Sequence, residues 1–237
     1  KEAISANIKS IKLNPKDAEA YYNLAITQKE IGKLLDAEKN YTIAIKLKTD
    51  YFEAYSNLGN IRKQLGKLTE AEECYKKAIN INPKFADPYY NLATILQKKG
   101  NIKDSKKNYM EAIKSDNLNI GAYFNLANLY RSEKKFDEAL NNYKRTLELN
   151  PKFVESINNI GSINLILGNF ENGLKYLKEA IEIDKFNSEA YYAYSSAKKI
   201  SEENPIFLKL KGLIEEKKEP QAQNFKMYYA LSKSYFD

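Results

Sequence analysis

The stretch AEAYYNLAITQKEIGKLLDAEKNYTIAIKL, residues 18–47, decides the fold, because the chain goes on to repeat it. FEAYSNLGNIRKQLGKLTEAEECYKKAININP begins at Phe52, and ADPYYNLATILQKKGNIKDSKKNYMEAIKSDN begins at Ala86. The three align without gaps at an interval of 34 residues, and two further copies start at Ile120 and Val154. A fixed interval of this length marks a stacked array of small units rather than one globular core. The interval is carried by large residues, in the row Tyr21, Tyr55, Tyr89, Tyr123 and Ile157 and the row Leu24, Leu58, Leu92, Leu126 and Ile160. In the second half of each copy small and large positions alternate. Ala37, Ala71, Ser105, Ala139 and Gly173 precede Tyr41, Tyr75, Tyr109, Tyr143 and Leu177, and Ala44, Ala78, Ala112, Thr146 and Ala180 follow.

Each copy predicts two amphipathic helices. Tyr55, Leu58, Ile61 and Leu65 recur at steps of three and four residues, which places them on one stripe of a first helix. Gly66 stops that helix, since glycine takes the left-handed cap at little cost. A second helix starts near Thr69 and presents Ala71, Cys74, Tyr75, Ala78, Ile79 and Ile81, and Pro83 blocks its continuation. Neither helix covers its stripe alone, so neighbouring copies must stack. Pro15 and Pro151 close copies in the same way, and Lys134 stands where the others carry Gly32, Gly66, Gly100 and Gly168.

A 34-residue period with this order of residues resembles the tetratricopeptide repeat (TPR) family, with tyrosine or isoleucine where that family often has tryptophan. The resemblance covers most of the chain. It implies an all-α fold, a right-handed solenoid of stacked helix–turn–helix repeats whose first helices line a concave face. The expected organisation is one solenoid over residues 1–237. It comprises a partial repeat 1–17, repeats 18–51, 52–85, 86–119, 120–153 and 154–187, an irregular repeat 188–224 and a partial repeat 225–237. In the irregular repeat Asn204 and Pro205 read as N-cap and first turn of a helix with Ile206, Leu208, Leu210, Leu213 and Ile214 on its apolar face. Incomplete repeats at both ends, with Ile4, Ile8, Ile11 and Tyr228 on open edges, give the expectation of a piece of a longer protein that self-associates if those edges stay bare. The segment from Asn204 to Asp237 resembles the repeats ahead of the sulfotransferase domain in bacterial TPR–sulfotransferase proteins.

Composition removes several chemistries. The 237 residues contain no histidine, which excludes a Ser-His-Asp triad, a Cys-His pair and histidine-ligated zinc in this chain. Cys74 is the one cysteine, so no disulfide forms within the chain, and a cytoplasmic setting is expected. Cys74 falls among packing positions and reads as a small hydrophobe. Glycines come singly at helix ends, so no phosphate-cradling loop is present. No run approaches the roughly 20 apolar residues of a membrane span. A net charge of +7 without long basic runs or an aromatic–basic motif argues against nucleic acid. No catalytic group, metal or cofactor is expected.

The recognition residues implied by the resemblance lie on the first helices. Asn23, Asn57, Asn91, Asn125 and Asn159 share one position and form a ladder similar to that in the TPR region of O-linked N-acetylglucosamine transferase. An asparagine amide offers donor and acceptor together and so bonds a peptide backbone without reading its side chains. The same amides could equally bond a neighbouring helix. Asn60 and Asn128, one turn on, would widen the ladder. Lys29, Lys63 and Arg131 share a second position, interrupted by Gln97 beside Lys98 and continued by Lys199, and either favour an acidic peptide or serve the helix dipole. Tyr22, Tyr90 and Phe124, with Tyr192 beyond, either clasp apolar ligand side chains or pack between units. Glu19, Glu53, Asp87, Glu155 and Glu189 open the first helices as dipole partners. The expected function is a protein-interaction scaffold that holds an extended peptide or partner segment, of acidic character, in the groove. The alternative is the substrate-recruiting region of a larger sulfotransferase or glycosyltransferase.

Overall fold

The computed structural model describes residues 2–197, 203–215 and 224–236. Among the described residues there are fourteen helices and no strand. In the first half run α1 (Glu2–Leu13), α2 (Ala18–Glu30), α3 (Leu34–Leu47), α4 (Phe52–Gln64), α5 (Leu68–Ile81), α6 (Ala86–Lys98) and α7 (Ile102–Ser115). The second half continues with α8 (Ile120–Ser132), α9 (Phe136–Leu149), α10 (Val154–Ile166), α11 (Phe170–Ile183), α12 (Ser188–Ala197), α13 (Pro205–Glu215) and α14 (Asn224–Phe236). The helices belong to two compact units, residues 1–122 and 123–237, with α8 starting at the end of the first. The fold is an all-α solenoid of helix–turn–helix repeats.

Within the first unit α2/α3, α4/α5 and α6/α7 are hairpins, each packed on the next, with α1 against α2. The turns follow from glycine. Gly32, Gly66 and Gly100 sit at φ 78°, 79° and 77°, a region that costs other L-residues energy. Around Gly66 the Lys67 amide donates to the Arg62 carbonyl at 2.8 Å and the Gly66 amide to Lys63 at 3.1 Å. These are the paired bonds of a Schellman cap, which satisfy carbonyls the helix end would leave orphaned. In the second unit Gly168 repeats the geometry at φ 81°, and Lys134 adopts it at φ 59° without glycine's freedom.

Small residues stand at close approaches within the hairpins. A Cβ added to Gly59 would lie 2.6 Å from Cε1 of Tyr75, so the ring of α5 occupies the space a larger residue on α4 would need. At the corresponding crossing of α10 and α11, a Cβ on Gly161 would stand 3.1 Å from the Gly173 carbonyl oxygen. In the α6/α7 hairpin Ser105 takes the small position and its Oγ donates to the Ala93 carbonyl at 2.8 Å.

The close approach seals a large aromatic. Tyr41, Tyr75, Tyr109 and Tyr143 are all fully buried. Burial pushes the Tyr75 phenol well above its ordinary value and the Tyr143 phenol up to about 12. Three of the four hydroxyls find an acceptor on the first helix of their own hairpin. Tyr75 donates to Asn60 Oδ1 at 2.8 Å, Tyr109 to Gln97 Oε1 at 2.9 Å and Tyr143 to Asn128 Oδ1 at 2.5 Å. The Tyr41 hydroxyl has no hydrogen-bond partner among the described residues, and Ile26 stands where Asn60 serves the next repeat.

Ion pairs join successive hairpins of the first unit. Glu38 on α3 accepts from Arg62 on α4 at 3.2 Å and from Lys67 at 2.7 Å. Glu72 on α5 accepts from Lys99 at 2.7 Å, across the next interface. Burial opposes the Glu38 charge, but the two cations override it and hold its carboxyl below the usual range. In the second unit α12, α13 and α14 share a core of Tyr191, Tyr194, Phe207, Leu210, Met227 and Ala230. Asn204 Oδ1 accepts the Ile206 amide at 2.8 Å and caps α13.

The tyrosine pattern separates two substitutions that look alike. Tyr75→Phe removes a net contribution of about 1 kcal/mol, while Tyr41→Phe removes an unsatisfied buried hydroxyl and is expected to be neutral or stabilising. Thermal denaturation of the two variants checks the contrast. Lys134→Gly relieves a left-handed L-residue and is expected to stabilise by about 0.5–1 kcal/mol after glycine's own entropy is subtracted. The check is a rise in melting temperature of about 2–4 °C, the shift expected for about 1 kcal/mol in a chain of this size.

Candidate functional site

The ladder asparagines lie on α2, α4 and α6 in the first unit and on α8 and α10 in the second. Asn23, Asn57, Asn91, Asn125 and Asn159 are each half-buried. Three of them hold the preceding first helix. In the first unit Asn57 Nδ2 donates to the Tyr22 hydroxyl at 2.9 Å, which ties α4 to α2. Lys63 Nζ donates to Asn91 Oδ1 at 2.6 Å, which ties α4 to α6, while Asn91 Nδ2 donates back to the Asp87 carbonyl at 3.1 Å. In the second unit the same bond recurs one double repeat later. Arg131 Nη1 donates to Asn159 Oδ1 at 2.8 Å, and Asn159 Nδ2 reaches Asn128 Oδ1 at 3.3 Å. The asparagine and basic rows are therefore one polar system, a cation of one repeat gripping the amide of the next.

Asn60 and Asn128 have a different geometry from the ladder. Their carbonyl oxygens face into their own hairpins, where they accept the Tyr75 and Tyr143 hydroxyls. Gln97 interrupts the basic row because it supplies the acceptor for Tyr109, a task Thr94 at the Asn60 position leaves undone. Repetition inside the chain carries this signal: for three of the four buried tyrosines of this row, Tyr75, Tyr109 and Tyr143, an amide oxygen fifteen or twelve residues earlier accepts the hydroxyl, and Tyr41 is the exception.

The basic groups are uneven in environment. Lys63 is half-buried and Arg131 exposed. Burial lowers the Lys63 ammonium from its usual value, and the neighbouring Lys98 charge lowers it further. Its bond is to the neutral amide of Asn91, and no carboxylate neutralises it among the described residues. Lys29 lies in the last turn of α2. Lys199 falls outside the described residues.

The aromatic row packs inward. Tyr22 lies 5.7 Å from Tyr41 and 4.8 Å from Tyr51, ring centre to ring centre. Burial raises the Tyr22 phenol, and the nearby Glu53 charge adds to the effect. Tyr90 approaches Tyr109 at 5.9 Å, and Phe124 approaches Tyr143 at 5.9 Å and Phe153 at 5.0 Å. Each keeps a partly exposed face.

In the second unit the first helices enclose a groove of about 480 Å³ lined by Phe124, Arg131, Glu155, Asn159, Ser162 and Tyr192 among others. Asp17 caps α2 through bonds from the Glu19 and Ala20 amides at 3.0 and 3.1 Å. Cys74 is buried with Arg62 Nη1 3.2 Å from its Sγ, and burial pushes its thiol up despite that cation. Among the described residues no three Asp, Glu or Cys side chains are grouped to hold a metal ion, and no helix is long and apolar enough to cross a membrane.

Family models described as TPR repeat match residues 59–100, and models described as tetratricopeptide repeat match 8–39, 86–117, 120–153 and 154–187. No curated protein is significantly similar in sequence. Among solved structures, the chain is similar to YrrB, described as a TPR protein with an unusual peptide-binding site. The TM-score is 0.70 at 27% identity, over 81% of this chain and 98% of that one. A crystal structure of MamA matches with TM-score 0.63 at 23% identity, over 68% of this chain and 95% of its own. PilF of Pseudomonas aeruginosa matches with TM-score 0.66 at 16% identity, over 78% and 85%. The last two show the fold alone. With repeat models matching from residue 8 to residue 187 around hairpins of the same period, the chain belongs to the tetratricopeptide repeat family.

Proposed function

We propose that this chain is a protein-interaction scaffold whose first helices hold an extended peptide segment of a partner, with an acidic side chain of that segment against Lys63. The observation that carries the reading is the state of Lys63. A half-buried ammonium beside a second lysine, bonded only to an amide, is an unfavourable arrangement for a purely structural residue. Perturbed charges of this kind gather at binding sites, where a ligand supplies the missing counter-charge. Arg131 repeats the same bond in the second unit from an exposed position. The ladder amides retain capacity for a backbone. Asn57 uses only its Nδ2 in the Tyr22 bond, which leaves Oδ1 able to accept a peptide N–H. The likeness to YrrB, whose description names a peptide-binding site, supports the same reading.

The test uses dodecapeptides selected from a random library against the intact chain. Lys63→Met keeps the aliphatic stem and removes the buried charge, so the melting temperature is expected to hold or rise. Affinity for a selected acidic peptide is expected to fall at least tenfold. Unchanged affinity in Lys63→Met, with the peptide still bound, would overturn the reading.

A further inference from the structure

The groove of the second unit has a polarity of its own. Arg131 stands at the end of the groove set by the last turn of α8, and its guanidinium is already engaged by Asn159. The opposite rim belongs to the first turns of α10 and α12, where Glu155 and Glu189 lie 34 residues apart in equivalent places. Between them the floor carries Asn158, which takes the place that Phe124 and Tyr192 hold on the flanking first helices. Asn158 Oδ1 is buried and has no hydrogen-bond donor among the described residues. Asn158 and both glutamates also line the adjoining depression of about 460 Å³. This end of the groove therefore holds two carboxylates and an unsatisfied carbonyl oxygen flanked by aromatic side chains, with Lys152 as the one cation among the residues lining the adjoining depression. The chain itself places a cation there: Lys226 of α14 pairs with Glu189. Glu155 has no such partner among the described residues.

We infer that this end of the groove is a pocket for an arginine side chain of the partner, an inference that rests on the peptide-groove reading and specifies one of its subsites. A guanidinium fits on three counts. Its planar face stacks on aromatic rings, here Phe124 and Tyr192. Its five N–H donors diverge in a fork, which suits acceptors spread over Glu155, Glu189 and Asn158. It is weakly hydrated for a cation, so it enters a half-enclosed groove at lower cost than an ammonium. Glu155 thus gains a task beyond the dipole of α10, as the carboxylate left open when Lys226 takes Glu189. The recognised segment would carry an arginine for the second unit in addition to an acidic residue for Lys63.

The probe is N-acetyl-arginine N-methylamide, titrated into the isotope-labelled intact chain and followed by NMR, with the uncharged citrulline analogue as control. Saturable shifts are expected at Glu155, Asn158 and Tyr192, with at least fivefold weaker binding of the citrulline analogue. Glu155→Gln is expected to abolish that preference at unchanged melting temperature. Asn158→Leu removes an unpaired oxygen, so it is expected to keep or raise stability while weakening arginine at least threefold. Equal response to the two analogues, shifts confined to other helices, or a preference that survives Glu155→Gln would each overturn the inference. Loss of the arginine preference, with a selected peptide still bound through Lys63, removes this pocket and leaves the groove reading standing.

Discussion

The whole arrangement depends on how closely two backbones come together inside each hairpin. At Gly59 and at Gly161 against Gly173 there is no room for a further carbon. That contact lets one aromatic or leucine side chain, from Tyr41 through Leu177, sink completely between the helices. A fully buried ring then fixes how the hairpin presents its outer stripes, and the next hairpin packs on what is presented. A methyl group inserted at Gly59 meets the Tyr75 ring, and one at Gly161 meets Leu177 and the Gly173 carbonyl, the kind of overpacking that destabilises tight cores. Polar side chains adjust to this frame. The tyrosine hydroxyls find Asn60, Gln97 and Asn128, and the first helices then find each other through asparagine, lysine and arginine.

The hairpins, their turns and their buried rows were legible because they obey local periodicity. Leu58 and Ile61 mark a stripe by spacing alone, and Gly66 marks a stop by its freedom at positive φ. The equivalence of the five ladder asparagines was equally legible from the 34-residue interval. What each amide does was not, since it depends on the side chain the preceding repeat offers. Asn57 meets a tyrosine hydroxyl and Asn91 a lysine, although the two asparagines occupy the same place. Asn60 and Asn128 show the same limit in another form. Three residues beyond the ladder, the helix has turned far enough for the amide to face its own hairpin, where a tyrosine on the second helix claims it. A stricter question put to the sequence, namely which group accepts each buried phenol, would have found them.

The two units differ in how their first helices are finished. In the first, Tyr22, Tyr41 and Tyr51 form an aromatic cluster beside Asn57, and burial together with the neighbouring Tyr22 raises the Tyr51 phenol to about 12. In the second, Phe124, Asn158 and Tyr192 line a groove. In the first unit the same row is interrupted by Ser56 between Tyr22 and Tyr90, so each unit carries one polar residue among its aromatics.

The grip of Lys63 on Asn91 has a physiological corollary. An amide satisfies the ammonium's hydrogen bond but leaves its charge intact, and the chain contains no imidazole to answer mild acid. Recognition through such a cation should be nearly indifferent to acidification between neutrality and pH 5, yet weaken as ions accumulate around it. Ionic strength rather than acidity would then set how long a partner stays bound.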